Sequence, residues 1–264
     1  MYQSSLTPSL FREPPSDPLP SSRRRLSVSS LRNDVINASV LSAVAGYVDA
    51  AGFLALFGLF TAHVTGDLVT FGAALAQPLK MATFSRLAMV PIFMMSVAGT
   101  ALVARRLKMR GNATTTPLLA LMTVALAVFG ATGVLLARYA DRPDSWAVYW
   151  SGGAGVVAMG IQNTLMRDAL STLSPTTIMT GNLTQFTIDL VEMIMPTSEP
   201  RVAKAQRLSA VRQRLRKFDY PLFGFMLGAV LGAWLTVHIG LRSIALPTLA
   251  VGLLTFVSWR SRKA

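Results

Sequence analysis

Long apolar stretches separated by short polar ones run along most of this chain. Six of them approach the ~20 apolar residues that a helix needs to cross a bilayer, at 36–60, 87–105, 117–138, 146–166, 219–240 and 243–259. Two further stretches, 61–77 and 176–195, are shorter or more polar. The pattern predicts an all-α fold, a polytopic membrane helix bundle of about six to eight helices.

The two polar stretches contain related motifs, "HVTGDLVTF" at 63–71 and "IMTGNLTQF" at 178–186. A shift of 115 residues aligns them and gives the common pattern T-x3-T-G-[DN]-L-x2-F-x3-L. We refer to these segments as the two TG motifs. A match of this length predicts two internal repeats, each with one T-G-[DN] motif.

A second matched block lies upstream, where a shift of 114 residues pairs Asp49 with Asn163 and Gly46 with Gly160. Aspartate is thus twice replaced by asparagine, here and in the TG motifs. One acidic and one neutral half would suit a site for a single cation or proton. The alternative is that these polar groups cap helix breaks and bind neighbouring helices.

The candidate substrate- or ion-binding residues come from these blocks. They are Asp49, His63, Thr65, Gly66, Asp67, Gln162, Asn163, Thr180, Gly181 and Asn182. Non-helical backbone at membrane depth needs protein or water around it, and ionisable side chains there usually face the bundle interior. We therefore expect Asp49, Asp67, Asp189 and Glu192 to point inward. His63 and Asp67, four residues apart, could also pair with each other.

The repeats allow two topologies. If both TG segments cross the membrane, there are eight crossings and the halves are parallel. If both are re-entrant or buried half-helices, there are six crossings and the halves are inverted. The distribution of Lys and Arg does not separate these arrangements, but both place the N terminus and the 196–218 loop in the cytoplasm.

The repeats divide the chain into a tail and a membrane domain. Residues 1–33 are rich in Pro, Ser and Arg, which predicts disorder. The membrane domain is 34–264, with repeat one at about 36–138 and repeat two at about 146–259. Within the second repeat, Gly224, Gly228 and Gly232 form a small-residue face that predicts close helix packing.

Residues 201–218 predict an amphipathic basic helix, with one apolar stripe and basic residues around it. We expect it to lie on an anionic leaflet, with recognition of a partner protein as the alternative. The lipid-facing basic residues would be Lys204, Arg207, Arg212, Arg214, Arg216 and Lys217.

Composition agrees with a membrane protein, because 52% of residues are hydrophobic and 14% are charged. The net charge is +13, and the basic residues lie between apolar segments and at the chain ends. This distribution favours membrane topology over nucleic-acid binding as the reason for the charge. The absence of cysteine excludes disulfides and thiolate chemistry. No metalloprotease, hydrolase-elbow or P-loop motif is present, so we expect no enzyme activity, metal or cofactor.

The segments "GYVDAAGFLALFGLFTAHVTGDLVTFGAALA" and "GIQNTLMRDALSTLSPTTIMTGNLTQF" resemble the YoaK-like family of uncharacterised membrane proteins. The resemblance covers about 36–259 and rests on G-Y-x-D-A, H-x-T-G-D, G-x-Q-N and M-T-G-N. It implies a multi-pass inner or plasma membrane protein, and supplies no substrate or reaction.

Two functions remain open from the residues. The first is a secondary transporter or permease-like protein for an unidentified small solute, coupled to a proton or cation. The second is a non-transporting membrane interaction protein in which the polar motifs are structural. A cavity that reaches both TG motifs would favour transport.

Overall fold

The structure of the chain is a computed structural model that describes residues 28–76, 84–170, 179–195 and 200–262. Side chains are described from residue 36 onward within these ranges, except at 216–218. The fold is all-α, as predicted. The helices are α1 (Val28–Ala55), α2 (Val64–Ala76), α3 (Phe84–Met109), α4 (Thr115–Leu135), α5 (Trp146–Asp168), α6 (Met179–Ile194), α7 (Arg201–Ile239) and α8 (Ala245–Arg260).

Four stretches of the described residues are long and apolar enough to cross a membrane. They are Ile36–Ala55, Phe84–Met109, Thr115–Leu135 and the combined α7–α8 stretch Arg201–Arg260. Helix α5 is not among them, although the apolar pattern predicts a span there. Its sequence contains several glycines and the polar pair Gln162 and Asn163, and most of its residues are buried by the other helices. A helix surrounded by protein does not need an apolar surface all round.

The structure differs from the predicted boundaries at two places. Helix α1 begins at Val28, so the last six residues of the predicted tail are helical. The rest of that tail, 1–27, lies outside the described residues. The predicted amphipathic helix at 201–218 and the predicted span at 219–240 form one helix, α7, which continues through Pro221.

Helices α1 and α7 pack in parallel along the predicted glycine face. A Cβ atom at Gly224 would lie 2.6 Å from the Ser39 carbonyl oxygen, and one at Gly228 would collide with the Ala43 carbonyl. Gly232 repeats this contact with Tyr47 one turn further on. The residue numbers rise together on both helices, which sets the parallel direction, and the prediction of close packing is confirmed.

Helices α3 and α5 form a second parallel pair. Near their starts, the Ser85 amide donates to Asp144 Oδ1 at 2.8 Å. Near their ends, Lys108 Nζ lies 2.5 Å from Asp168 Oδ1. Between these points the Ser96 hydroxyl donates to the Val157 carbonyl at 2.9 Å.

The first helices of the two halves, α1 and α5, run in opposite directions, and so do the last helices, α4 and α8. Gln162 near the end of α5 donates to the Leu41 carbonyl at the middle of α1 at 2.8 Å. At the start of α5, a Cβ atom at Gly152 would lie 3.7 Å from Leu56, which directly follows α1. Thr116 Oγ1 at the start of α4 lies 2.7 Å from Ser258 Oγ at the end of α8. Helix α1 is therefore antiparallel to α5, and α4 is antiparallel to α8.

The two helices that contain the TG motifs are short. Helix α2 has 13 residues and α6 has 16, so they are about 20 and 24 Å long against a hydrocarbon core of about 30 Å. As described, both are shorter than that core is thick, as is the 16-residue α8. Each packs on the long helix that comes after it, α2 on α3 and α6 on α7.

Candidate functional site

A buried loop joins α1 to α2 and is held by Asp49. Asp49 Oδ1 accepts hydrogen bonds from the amides of Thr61 at 2.8 Å and Ala62 at 2.7 Å. Thr61 is fully buried, and its methyl group lies against Gly52 and Gly155. Side chains at those glycines would displace Thr61, so the glycines let the loop enter between α1 and α5. The loop carries the chain back into the bundle before α2 begins.

His63 pairs with Asp49 and not with Asp67. Its Nδ1 lies 2.6 Å from Asp49 Oδ2, so the predicted pair of His63 and Asp67 is wrong. Residues four apart share a helix face only when both are helical. His63 precedes the first residue of α2, and the turn there directs its ring toward α1. The ring also packs edge-on against Phe225 of α7, with 5.5 Å between the ring centres.

Asp67 is fully buried beside Arg86, the first charged residue of α3. Arg86 Nε lies 3.8 Å from Asp67 Oδ1, which also accepts a hydrogen bond from the Phe60 amide at 3.1 Å. Arg86 Nη2 donates to the carbonyls of Phe57 and Gly58, at 3.2 and 2.6 Å. The Asp67–Arg86 pair thus fixes the earlier part of the same buried loop, at Phe57, Gly58 and Phe60.

Arg86 is a site residue that the sequence pattern does not single out. Its position one residue before the predicted span at 87–105 is typical of an ordinary charge at a membrane boundary. The available signal was a single arginine close to an acidic TG motif. A charged group inside a membrane helix usually has an inward partner.

One open cavity brings the two TG motifs together. It has a volume of about 400 Å³ and lies between α2, α3, α5 and α6. The predicted site residues that line it are His63, Thr65, Asn163 and Thr180. Arg167, one turn beyond Asn163 on α5, lines it as well. We call this space the TG cavity.

Other predicted site residues lie beside this cavity. Asp49 is connected to the TG cavity only through His63, because Asp49 itself is 6% exposed and its carboxylate faces the loop amides. Asp67, Gln162 and Asn182 are buried, and Gln162 binds the α1 backbone. Gly66 packs against the Phe60 ring, where a Cβ atom would lie 3.3 Å away. Gly181 is exposed on α6.

The other two acidic residues predicted to face inward, Asp189 and Glu192, both lie on α6 but differ in burial. Asp189 is fully buried and accepts from Arg214 Nε at 3.0 Å and from Gln185 Nε2 at 3.1 Å. Glu192 is partly exposed and lies 2.5 Å from Arg214 Nη2. Asp49, Asp67 and Asp189 therefore point inward as predicted, and Glu192 lies at the edge of the α6–α7 interface.

The basic residues of α7 do not share one environment. Arg207 and Arg214, predicted to face lipid, bind α6: Arg207 Nη1 donates to the Glu192 carbonyl at 3.2 Å, and Arg214 bridges the two α6 carboxylates. Lys204 and Arg212 are exposed. Arg216 and Lys217 lie outside the described side chains. The apolar stripe that includes Val211 and Leu215 packs inward, which turns two of the basic residues toward α6.

The described residues contain no group of three or more His, Asp or Glu side chains placed to hold a metal ion. The TG cavity instead presents a histidine, hydroxyl groups, an amide and a guanidinium. These groups can donate and accept hydrogen bonds and can hold charge. They suit reversible binding of a small polar molecule.

Helix content and apolar stretches define a class of protein: an all-α bundle with helices that could span a membrane. The chain belongs to the family described as "Protein of unknown function (DUF1275)", which it matches over residues 37–257. This agrees with the resemblance seen in its motifs. Comparisons with curated proteins and with solved structures gave no match.

Proposed function

We propose that this protein is a multi-pass membrane transporter for a small solute, built from two inverted repeats and coupled to a proton or cation. The observation that carries the proposal is the TG cavity, which is lined by both TG motifs. A cavity of about 400 Å³ is within the size range of small-molecule sites. The proton or cation would act through Asp49 and His63.

Equivalent contacts in the two halves support the internal repeat. A Cβ atom at Gly46 of α1 would collide with the Phe225 carbonyl of α7, while one at Gly160 of α5 would lie 3.5 Å from the Phe93 carbonyl of α3. Gly46 and Gly160 are the residues that the shift of 114 pairs. The first helix of each half thus packs in parallel on the third helix of the other half.

The antiparallel pairs α1–α5 and α4–α8 support inverted rather than parallel halves. Half-helices at α2 and α6 agree with this, because they leave three crossings in each half and an odd number reverses the second half. The six crossings would be α1, α3, α4, α5, α7 and α8. The positive-inside rule then favours a cytoplasmic N terminus, in an inner or plasma membrane.

The starts of α2 and α6 resemble the half-helices of secondary transporters. Val64 and Thr65 at the start of α2, and Met179 and Thr180 at the start of the described α6, line the same cavity. Transporters with inverted repeats often place discontinuous helices around a central solute site. The two TG motifs therefore form the proposed solute site from equivalent positions of the two halves.

Reconstitution of the purified full-length chain into liposomes, with a broad solute panel and an imposed proton gradient, tests transport. Asp49→Asn keeps the oxygen that accepts the loop amides but removes the charge beside His63. We expect it to insert normally and to lose coupled uptake. Asp141→Asn, in an exposed loop, is the matched control and should transport normally. Uptake by Asp49→Asn equal to the control would refute coupling through Asp49.

A second candidate is a non-transporting membrane interaction protein, and one observation favours it. Both acidic residues of the first half, Asp49 and Asp67, hold the buried loop before α2. Their charges thus have a structural use without a solute. If the wild-type protein transports no member of the panel although it is folded and inserted, this second candidate gains support.

A further inference from the structure

The charges around the TG cavity are unbalanced. Arg167 is exposed at the cavity wall and forms no ion pair with the described residues. The next residue, Asp168, does not neutralise it. Its carboxylate receives Lys108 Nζ at 2.5 Å and the Thr114 hydroxyl at 3.0 Å, on the side of α5 that faces α3 and α4.

Asp49, the partner of the cavity residue His63, also has its carboxylate oxygens bound. Asp49 Oδ1 accepts two short backbone hydrogen bonds, and Oδ2 lies against His63 Nδ1. His63 stands between this carboxylate and the cavity, which it lines. The cavity therefore contains a guanidinium and an imidazole, while no carboxylate lines it among the described residues.

The other polar groups in the wall can donate hydrogen bonds. Thr65 and Thr180 supply hydroxyls from equivalent positions of the two TG motifs, and both are exposed. Thr65 lies in the first turn of α2, where backbone amides carry partial positive charge. Asn163 lines the wall on the same face of α5 as Arg167, four residues earlier, and its Nδ2 donates to the Met159 carbonyl at 3.0 Å.

We infer that the TG cavity binds a small solute through an anionic group, a carboxylate or phosphate, and that Arg167 is its charged partner. A planar guanidinium binds such groups with two parallel hydrogen bonds. The threonine hydroxyls hold the remaining oxygens, and His63, whose Nδ1 faces Asp49, adds its Nε2 as a donor when the imidazole is protonated. This inference rests on the proposed function, because it names the substrate class of the same cavity.

Binding by the purified full-length chain in detergent micelles tests the inference. The probes are inorganic phosphate, succinate and acetate, with acetamide and ethylammonium as neutral and cationic matches for acetate. Thermal unfolding is measured at constant ionic strength set by sodium chloride. We expect at least one anion to raise the melting temperature in a saturable way, and neither acetamide nor ethylammonium to do so.

Two arginine variants locate the effect. Arg167→Gln should weaken anion binding at least about tenfold, since a hydrogen-bonded charge is lost. Arg110→Gln, which removes an exposed charge after α3 outside the cavity, should bind as the wild type does. Absence of stabilisation by all three anions overturns the inference, and so does an anion effect that persists in Arg167→Gln.

A lipid headgroup could present the same phosphate, so a second arm uses nanodiscs of phosphatidylcholine with or without phosphatidylglycerol. Stabilisation by phosphatidylglycerol that Arg167→Gln abolishes identifies lipid as the source of the anionic group. Stabilisation by free anions in phosphatidylcholine alone identifies a soluble ligand.

The outcome is separable from that of the transport proposal. Saturable binding of acetamide or ethylammonium, lost in Thr180→Val and unchanged in Arg167→Gln, overturns the anionic class but leaves a solute site. Anion binding that depends on Arg167, with no uptake into liposomes, keeps the anion site and removes transport.

Discussion

His63 Nδ1 lies 2.6 Å from Asp49 Oδ2, while Asp49 Oδ1 accepts the amides of the loop that precedes α2. One carboxylate thus has two separate uses. Its first oxygen holds the backbone that brings the first TG motif into the bundle. Its second oxygen sets the orientation of a histidine at the wall of the TG cavity.

Substitution of Asp49 should separate these uses. Asp49→Ala removes the acceptor of two buried amides and should lower the free energy of unfolding by about 3 kcal/mol, since hydrogen bonds to charged groups contribute about 1.5–3 kcal/mol each. Asp49→Asn keeps one acceptor oxygen and should lose about 1 kcal/mol. Denaturant unfolding in micelles, monitored by circular dichroism, measures both. Equal losses would contradict the role of Oδ1.

Asp67 and Arg86 form a fully buried pair, so removal of one charge should be costly. Asp67→Asn leaves the Arg86 guanidinium without its counter-charge, and we expect a loss of about 3–5 kcal/mol in stability. The double variant Asp67→Asn with Arg86→Met should recover part of it, because no charge then remains buried. Recovery is incomplete because Arg86 also binds Phe57 and Gly58.

The same unfolding measurement checks the pair. A double variant less stable than Asp67→Asn alone would show that the carbonyl contacts of Arg86 matter more than its charge. For this reason uptake by Asp67→Asn variants reports on folding as well as on coupling, and Asp49 is the better residue for the transport experiment.

The sequence predicted the interior position of Asp49 and Asp67, but not their partners. Polarity within an apolar stretch is enough to predict burial, because lipid cannot solvate a carboxylate. The partner of Asp67, Arg86, lies 19 residues later, beyond a segment whose path the pattern does not define. His63 is assigned to Asp49 only when the loop folds back on α1. Such non-local pairs depend on tertiary structure.

Helix direction also had to come from the structure. The basic residues gave similar counts for parallel and inverted halves, since most lie at the chain ends and at 201–217, in the first half of α7. The glycine face of α7 was visible as a spacing of four, because a helix brings such residues onto one side. That spacing predicted neither that α1 is the partner helix nor that the two helices run in parallel.

Gly228 should tolerate no side chain, because a Cβ atom there would overlap the Ala43 carbonyl. Gly228→Ala would push α7 away from α1, and overpacking of this kind costs about 1–3 kcal/mol. Gly99→Ala on α3 is the matched control, since its Cβ atom would meet nothing within 4 Å. Alanine favours a helix by about 1 kcal/mol over glycine, so the control should be neutral or stabilising. Melting temperatures in micelles compare the two.

The antiparallel packing of α4 and α8 predicts a specific disulfide. The chain has no cysteine, so Thr116→Cys with Ser258→Cys is the only pair in that double variant. The native hydroxyl oxygens of Thr116 and Ser258 are 2.7 Å apart, so mild oxidation should form a disulfide between the two introduced cysteines. Thr116→Cys with Thr248→Cys is the control, because Thr248 lies near the opposite end of α8. Cross-linking of the control in preference to the first pair would mean that α4 and α8 are parallel.

Single cysteines can also decide between six and eight crossings. With α2 and α6 as half-helices, Asn112→Cys after α3 should lie on the same side of the membrane as Ser261→Cys after α8, and Asp141→Cys after α4 on the opposite side. All three positions are exposed. If α2 and α6 crossed fully, Asn112 and Ser261 would lie on opposite sides, since one added crossing would precede Asn112 and two would precede Ser261. A membrane-impermeant maleimide added to intact cells should label Asp141→Cys and leave the other two unlabelled until the membrane is opened. Labelling of Asn112→Cys before that step would contradict the inverted arrangement.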